Sequence, residues 1–144
     1  MPSIIDRIKS LEARLAAKAG EISYLFVQVL RHKEIYDYGT SASGVQIKLI
    51  WSQIGNHAKV TLAQNNTLKF DLPHPVGCMR VVLFLIQGGS GSNLITNWQA
   101  AGGSAVYWPG GTAPTLSTAV GSVDIITAIY DGTNYYAQAS LNFS

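Results

Sequence analysis

HAKVTLAQNNTLKFDL, residues 57 to 72, is the stretch on which the fold class turns. Val60 and Leu62 alternate with Lys59, Thr61 and Ala63, and Leu68, Phe70 and Leu72 alternate with Thr67, Lys69 and Asp71. A period of two places every second side chain on one face, so both runs read as strands with one buried and one wet face. Asn65-Asn66 stands between them. Asparagine tolerates positive φ, and the pair reads as a hairpin turn that makes the two strands antiparallel neighbours.

The same period extends outward. Val45, Ile47 and Leu49 alternate with Gln46, Lys48 and Ile50 upstream. Downstream, Pro73-His74-Pro75 with Gly77 closes the third strand, and Met79 to Gln87 follows as a fourth, more fully buried one. It ends at Gly88-Gly89-Ser90-Gly91-Ser92. Leu94 to Trp98 and Ala105 to Trp108 read as short strands, and Val123 to Tyr130 pairs with Tyr135 to Phe143 across Asp131-Gly132-Thr133-Asn134. Many short strands punctuated by Gly, Asn and Pro predict a mainly β domain over residues 45–144, an antiparallel β-sandwich or jelly roll.

Residues 1–44 differ in kind and read as an N-terminal helix and attachment segment. Ser3 with Asp6 marks a helix start. Ile4, Ile8, Leu11, Leu15 and Ile22 then recur at alternating spacings of four and three, with Ile8, Leu15 and Ile22 at a and Ile4, Leu11, Lys18 and Leu25 at d. Lys18 alone breaks this seam. Arg7 and Arg14 occupy g, and Glu12 and Ala19 occupy e. Gly20 is expected to weaken or end the helix, leaving about 17 residues that are marginally stable alone. The seam therefore predicts a coiled-coil-like association of two or three copies, with an amphipathic helix lying on its own domain as the alternative. Arg31-His32-Lys33-Glu34 is a charged patch that reads as a helix surface, a turn or a contact with a partner, the last making it an attachment surface, and Gly39 to Gly44 reads as a linker.

Charge is distributed unevenly. Residues 1 to 37 carry eleven of the eighteen formal charges, whereas residues 81 to 144 carry only Asp124 and Asp131. A surface made soluble by hydroxyls and amides suits an assembly, where charge is costly to bury between subunits. The net charge of +2 is too small for a nucleic-acid footprint. No apolar run reaches the roughly 18 residues of a membrane span, and Ile4-Ile5 followed at once by Asp6 and Arg7 lacks the layout of a secretory signal. One cysteine excludes an internal disulfide.

A search for chemistry returns little. His32, His57 and His74 are far apart in sequence, with no H-x-H or H-E-x-x-H pair, so no metal or other cofactor is expected within one chain. Gly88 to Ser92 lacks the Gly-Lys-Ser/Thr ending of a phosphate loop and reads as a connection between strands. Cys78 reads as a buried structural thiol. Asp124, flanked by Val123 and Ile125-Ile126, is the acid drawn into the fold, where it accepts hydrogen bonds from neighbouring loop backbone. The chain does not read as an enzyme.

In VYWPGGTAPTL, residues 106 to 116, a strand end delivers an aromatic toward the core, and Pro109-Gly110-Gly111 then turns the chain. This tract, with Asn65-Asn-Thr-Leu-Lys-Phe70 and Leu83-Phe-Leu-Ile-Gln-Gly-Gly-Ser-Gly91 before it and Val123-Asp-Ile125 and Asp131-Gly-Thr-Asn-Tyr-Tyr136 after it, resembles a β-domain of tailed-bacteriophage virion proteins. Such domains are found in tail-fibre tips, head fibres and small capsid-decoration proteins. The likeness spans roughly residues 57 to 143. It implies a β-sandwich that commonly trimerises, without catalysis. With only about 44 residues before the β-domain, the chain resembles a head fibre or decoration protein more than a whole adhesion fibre.

The expected function is therefore structural. A homotrimer on the outer surface of the virion, made in the host cytoplasm, would be held to capsid or tail proteins by its N-terminal segment, with the β-domains projecting. The alternative is a receptor-binding module for a host surface glycan. Trp98, Trp108, Tyr135 and Tyr136 with Asn93, Asn97 and Asn134 supply the aromatic faces and amides such a site needs.

Overall fold

The computed structural model describes residues 1–31, 35–71 and 77–144, with the side chains of residues 22–31 excepted. The chain is mainly β with an N-terminal helix and divides into two compact units, Met1–Lys33 and Glu34–Ser144.

Helix α1 spans Ile4–Arg31. Its start is a reciprocal cap: the Asp6 N–H donates to Ser3 Oγ at 3.1 Å, and the Ser3 N–H donates back to Asp6 Oδ2 at 3.1 Å. These bonds also hold the Asp6 carboxyl below its usual pKa, the Ser3 side chain contributing most. The helix does not stop at Gly20, contrary to the expectation from sequence. One glycine costs about 1 kcal/mol against Ala, and Ala16, Ala17, Lys18, Ala19 and Glu21 around it are strong helix formers that carry the helix through.

In the second unit, Tyr36–Thr40 forms strand β1, which pairs in parallel with β3 (His57–Leu62), so Gly39 and Thr40 of the presumed linker are part of the sheet. Ser41, within it, is buried: its N–H donates to the Thr61 carbonyl, and its hydroxyl accepts the Ala63 N–H at 3.1 Å.

Strand β2 (Ile47–Ile50) follows, then the single helical turn α2 (Trp51–Ile54), β3, β4 (Asn66–Asp71), β5 (Met79–Gln87), β6 (Ile95–Ala100), β7 (Val106–Tyr107), β8 (Val123–Tyr130) and β9 (Tyr135–Phe143). A six-stranded sheet has the order β1-β3-β5-β8-β9-β7, and a three-stranded sheet has the order β2-β4-β6. The chain thus alternates between sheets: β1 to β2, β3 to β4, β5 to β6. Each passage adds one parallel strand to each sheet, a β-solenoid-like arrangement of three coils.

This corrects the antiparallel sandwich or jelly roll expected from sequence. Of the seven ladders among the described residues, β1·β3, β2·β4, β3·β5, β4·β6 and β7·β9 are parallel; only β5·β8 and β8·β9 are antiparallel. The reason lies at Asn65-Asn66. It is not a hairpin turn, because β3 and β4 belong to different sheets. Asn66 Nδ2 donates to the carbonyls of Ala42 (3.0 Å) and Val45 (2.9 Å) in the preceding coil. Toward the following coil, the Leu94 N–H donates to Asn65 Oδ1 at 2.8 Å and the Asn66 N–H donates to the Leu94 carbonyl. The pair satisfies corner backbone groups of three stacked coils, which a two-strand hairpin would leave unpaired.

The alternation itself is kept. Ala58, Val60, Leu62, Leu68, Phe70, Val81, Leu83 and Leu85 turn inward and join Ile47, Leu49, Trp51, Ile126, Ala128 and Tyr135 in one buried core between the sheets. Each fully buried large apolar side chain contributes about 1.5–3 kcal/mol. The outer face of β5 and β8 is also largely apolar: Val82, Phe84 and Ile86 of β5 face outward beside Thr127, Ile125 and Val123 of β8 and are only half-buried. The expected full burial of Met79–Gln87 therefore holds for one face.

Candidate functional site

The Trp108 to Leu116 tract forms the expected corner. Trp108 is extended, Pro109–Gly111 makes one 3-10 turn with Gly110 and Gly111 at φ +68° and +76°, and the Gly111 N–H closes on the Trp108 carbonyl at 2.9 Å. Leu116 then enters the core. Next to it, Asp124 is buried and saturated with donors. Its Oδ2 accepts the Ser117 N–H at 2.7 Å, while Oδ1 accepts the Ser117 hydroxyl at 2.6 Å and the Asn142 N–H at 2.9 Å. One carboxylate thus ties the corner to β8 and to the end of β9, the structural role expected of it.

The glycine-rich stretch after β5 turns its polar groups inward. The Gly88 N–H donates to the Leu62 carbonyl, the Gly91 N–H to the Gly88 carbonyl and the Ser92 N–H to the Thr118 carbonyl. Buried Gln87 and Asn93 bond each other reciprocally, and Asn93 Nδ2 donates to the Leu62 carbonyl at 3.0 Å. Backbone donors committed in this way cannot cradle a phosphate.

The aromatic residues separate into a core chain and a surface groove. Tyr135 is fully buried and Tyr136 is half exposed, because neighbours on a strand point to opposite faces. Trp51, Phe70, Tyr135 and Tyr130 are in successive ring contact, with Phe70 to Tyr135 at 5.0 Å and Tyr130 to Tyr135 at 4.8 Å. Trp98 packs on Phe70 and meets Trp108 edge-on at 5.0 Å. Asn134 is a brace, its Oδ1 accepting the Ala105 N–H at 2.9 Å. Of the aromatic and amide set expected for a glycan, only Trp108 and Tyr136 therefore reach a common surface. Asn93 is buried in the corner network, and Asn97 is exposed on β6.

That surface is a groove of about 440 Å³ lined by Tyr107, Trp108, Pro109, Thr127, Ile129, Tyr136, Ala137 and Gln138. Register aligns Arg80, Ile129, Tyr136 and Tyr107 across four strands. The Tyr107 and Tyr136 rings stack at 5.4 Å with an interplanar angle of 27°. Tyr107, Thr127 and Gln138 were not singled out from sequence, since their neighbours across the sheet come from strands far apart in the chain. The Asp131 carboxylate lies beside the Tyr136 hydroxyl; its charge raises the Tyr136 pKa. Asp131 itself is held below its usual value, first by the N–H groups of Asn134 and Thr133.

Burial raises the Tyr135 pKa well above 10, and among the described residues its hydroxyl has no hydrogen-bond partner. In the unfolded chain the phenol ionises near its ordinary value of about 10, so above that pH the unfolded state binds fewer protons. Stability present below about pH 10 is expected to fall as the pH rises further. A spectroscopic titration should show the Tyr135 phenolate emerging only with unfolding, and Tyr135→Phe should flatten the alkaline loss. Free titration of all seven tyrosines in the folded protein would contradict this.

In the first unit, Ile4 (73% exposed), Ile8 (50%), Leu11 (54%) and Leu15 (69%) form an uncovered apolar stripe, with all of residues 1–21 exposed. Ile22, Leu25 and Arg31 fall in α1, but their side chains lie outside the described residues, as do His32, Lys33 and Glu34 of the charged patch and His74. His57 is half-buried on the outer face of β3. Cys78, expected to be buried, is exposed, since it precedes β5 rather than pointing into it. No group of three or more His, Cys, Asp or Glu residues capable of holding a metal occurs among the described residues. Among the described residues, no helix is long and apolar enough to cross a membrane.

No family model, curated protein or solved structure matches the chain.

Proposed function

We propose that the chain is a structural, non-catalytic component of a tailed-bacteriophage virion: a homotrimeric head-fibre or capsid-decoration protein. Its N-terminal segment holds it to capsid or tail proteins, and the β units are displayed at the particle surface. The observation that carries this reading is the stripe of Ile4, Ile8, Leu11 and Leu15, large apolar side chains left in water along a helix of 28 residues. A solitary helix of that kind gains stability by burying its stripe against partners. Ile4 at d with Ile8 at a suits three strands, Ile8 at a with Leu11 at d suits two, and the trimer is taken from the resemblance to virion β-domains.

One further feature supports association. The half-buried Val82, Phe84, Ile86 and Ile125 form an outward apolar face, and strands apolar on both faces are characteristically covered on both.

Replacing both Leu11 and Leu15 with Asp tests the stripe. Light scattering on the unaltered chain should give about three times 15.5 kDa, and the double variant should fall to a monomer while keeping its β signature. A monomeric unaltered chain would overturn the trimer.

The groove favours a second reading, recognition of a host surface glycan. Stacked tyrosines with Trp108, Thr127 and Gln138 offer ring faces and neutral hydrogen-bonding groups, the set that suits an uncharged sugar. A glycan array on which the chain binds host polysaccharide, and Tyr136→Ala does not, would support it; an array without signal would remove it.

A further inference from the structure

The direction of the α1 seam follows from its flanking charges, given the self-association proposed above. Among the described residues, Arg7, Glu12 and Arg14 take part in no ion pair within the chain, whereas Lys18 is paired with Glu21 at 2.7 Å. Arg7 and Glu12 are five residues apart, a spacing that does not bring two side chains together on one helix, where partners lie three or four apart. Across a parallel, in-register seam, a g residue faces the e residue five positions on in the neighbouring helix. Arg7 at g and Glu12 at e occupy those places, so every interface between identical copies gains one Arg–Glu pair.

The antiparallel alternative is poorer. Reversing the stripe on itself sets Ile4 opposite Leu15 of the other helix and Ile8 opposite Leu11, and brings Arg7 at g beside Arg14 at g of the other copy, like charges in contact. Displacing that arrangement by one heptad sets Leu11 opposite Leu15 and Ile8 opposite Lys18, with Arg14 beside Arg14 and Glu12 beside Glu12. Lys18 is tolerable in the parallel arrangement because Glu21, at g, already draws its ammonium away from the d layer. We infer that α1 assembles with further copies of this chain in parallel and in register, with Arg7 of one helix paired to Glu12 of the next, so that the C-terminal ends of the helices emerge together.

Single cysteines read this directly. In the full chain with Cys78→Ser, Leu11→Cys alone should form an intermolecular disulfide under mild oxidation, and Leu15→Cys alone should do the same. Reversing one charge, Arg7→Glu, should slow cross-linking about threefold or more, and adding Glu12→Arg should restore it. If neither cysteine links alone but Leu11→Cys links when mixed with Ile8→Cys or with Leu15→Cys, the helices are antiparallel and the inference fails while self-association stands. No link in any combination, from a chain of monomeric mass, overturns both.

Discussion

Asp124→Ala is expected to lower the thermal midpoint of the β unit by roughly 10 °C, the consequence of losing about 3 kcal/mol. The carboxylate accepts three hydrogen bonds, from the Ser117 N–H, the Ser117 hydroxyl and the Asn142 N–H, at a site almost closed to water. Bonds to an ionised acceptor are about twice as strong as neutral ones. Truncation also strands donors in a buried place, and each stranded donor costs about 1–3 kcal/mol. Asp124→Asn should be nearly as damaging, because turning its Oδ1 toward one side leaves an NH2 group facing an N–H on the other. Differential scanning calorimetry of the full chain decides this. A shift within about 2 °C for both variants would show that the corner is held by packing alone.

Gly88→Ala is the second large effect. A Cβ at this position would stand 2.5 Å from the Leu62 carbonyl oxygen and 3.3 Å from its carbon, both backbone atoms inside the sheet. That oxygen already accepts the Gly88 N–H and Asn93 Nδ2, so it cannot retreat without opening the corner. Relief must come from moving β3 or β5, and the expected destabilisation is about 2–4 kcal/mol. Urea unfolding should show the midpoint falling with the slope unchanged. Gly89→Ala, where nothing lies within 4 Å of the added carbon, serves as the control and should shift the midpoint little.

Strand positions were legible in the sequence because alternation is a local property. Ile47, Leu49, Val60, Leu62, Leu68 and Phe70 all lie on the side the pattern assigns. Which strand neighbours which is not local, and there the Asn65-Asn66 pair misled. An asparagine pair suits a tight hairpin and an inter-sheet corner equally, and its bonds to Ala42, Val45 and Leu94 come from residues about 20 to 30 positions away. One signal did favour coils. Ile47-Lys48-Leu49 and Leu68-Lys69-Phe70 share a pattern 21 residues apart, and the parallel ladder sets them side by side as Ile47 with Leu68, Lys48 with Lys69 and Leu49 with Phe70. Strand β1 escaped notice because Tyr36–Thr40 buries no side chain fully and lies among charges and glycine.

The candidate sites divide in the same way. Asp124 was readable because a lone acid amid Val123, Ile125 and Ile126 must find donors. The groove was only partly readable, since Tyr135 and Tyr136 share a composition but face opposite sides. The apolar stripe of the helix was readable over residues 4 to 15, and the extension of the helix through Gly20 was not, because one glycine is outweighed by the helix formers on both sides.

The central claim is that this chain is displayed on a virion. Immunogold labelling of intact, purified particles produced from a genome encoding the chain, with an antibody raised against residues 34–144, tests it most directly. Gold at defined positions on the outer surface of head or tail is expected. Unlabelled particles, with the protein confined to the soluble fraction of the lysed host, would contradict it.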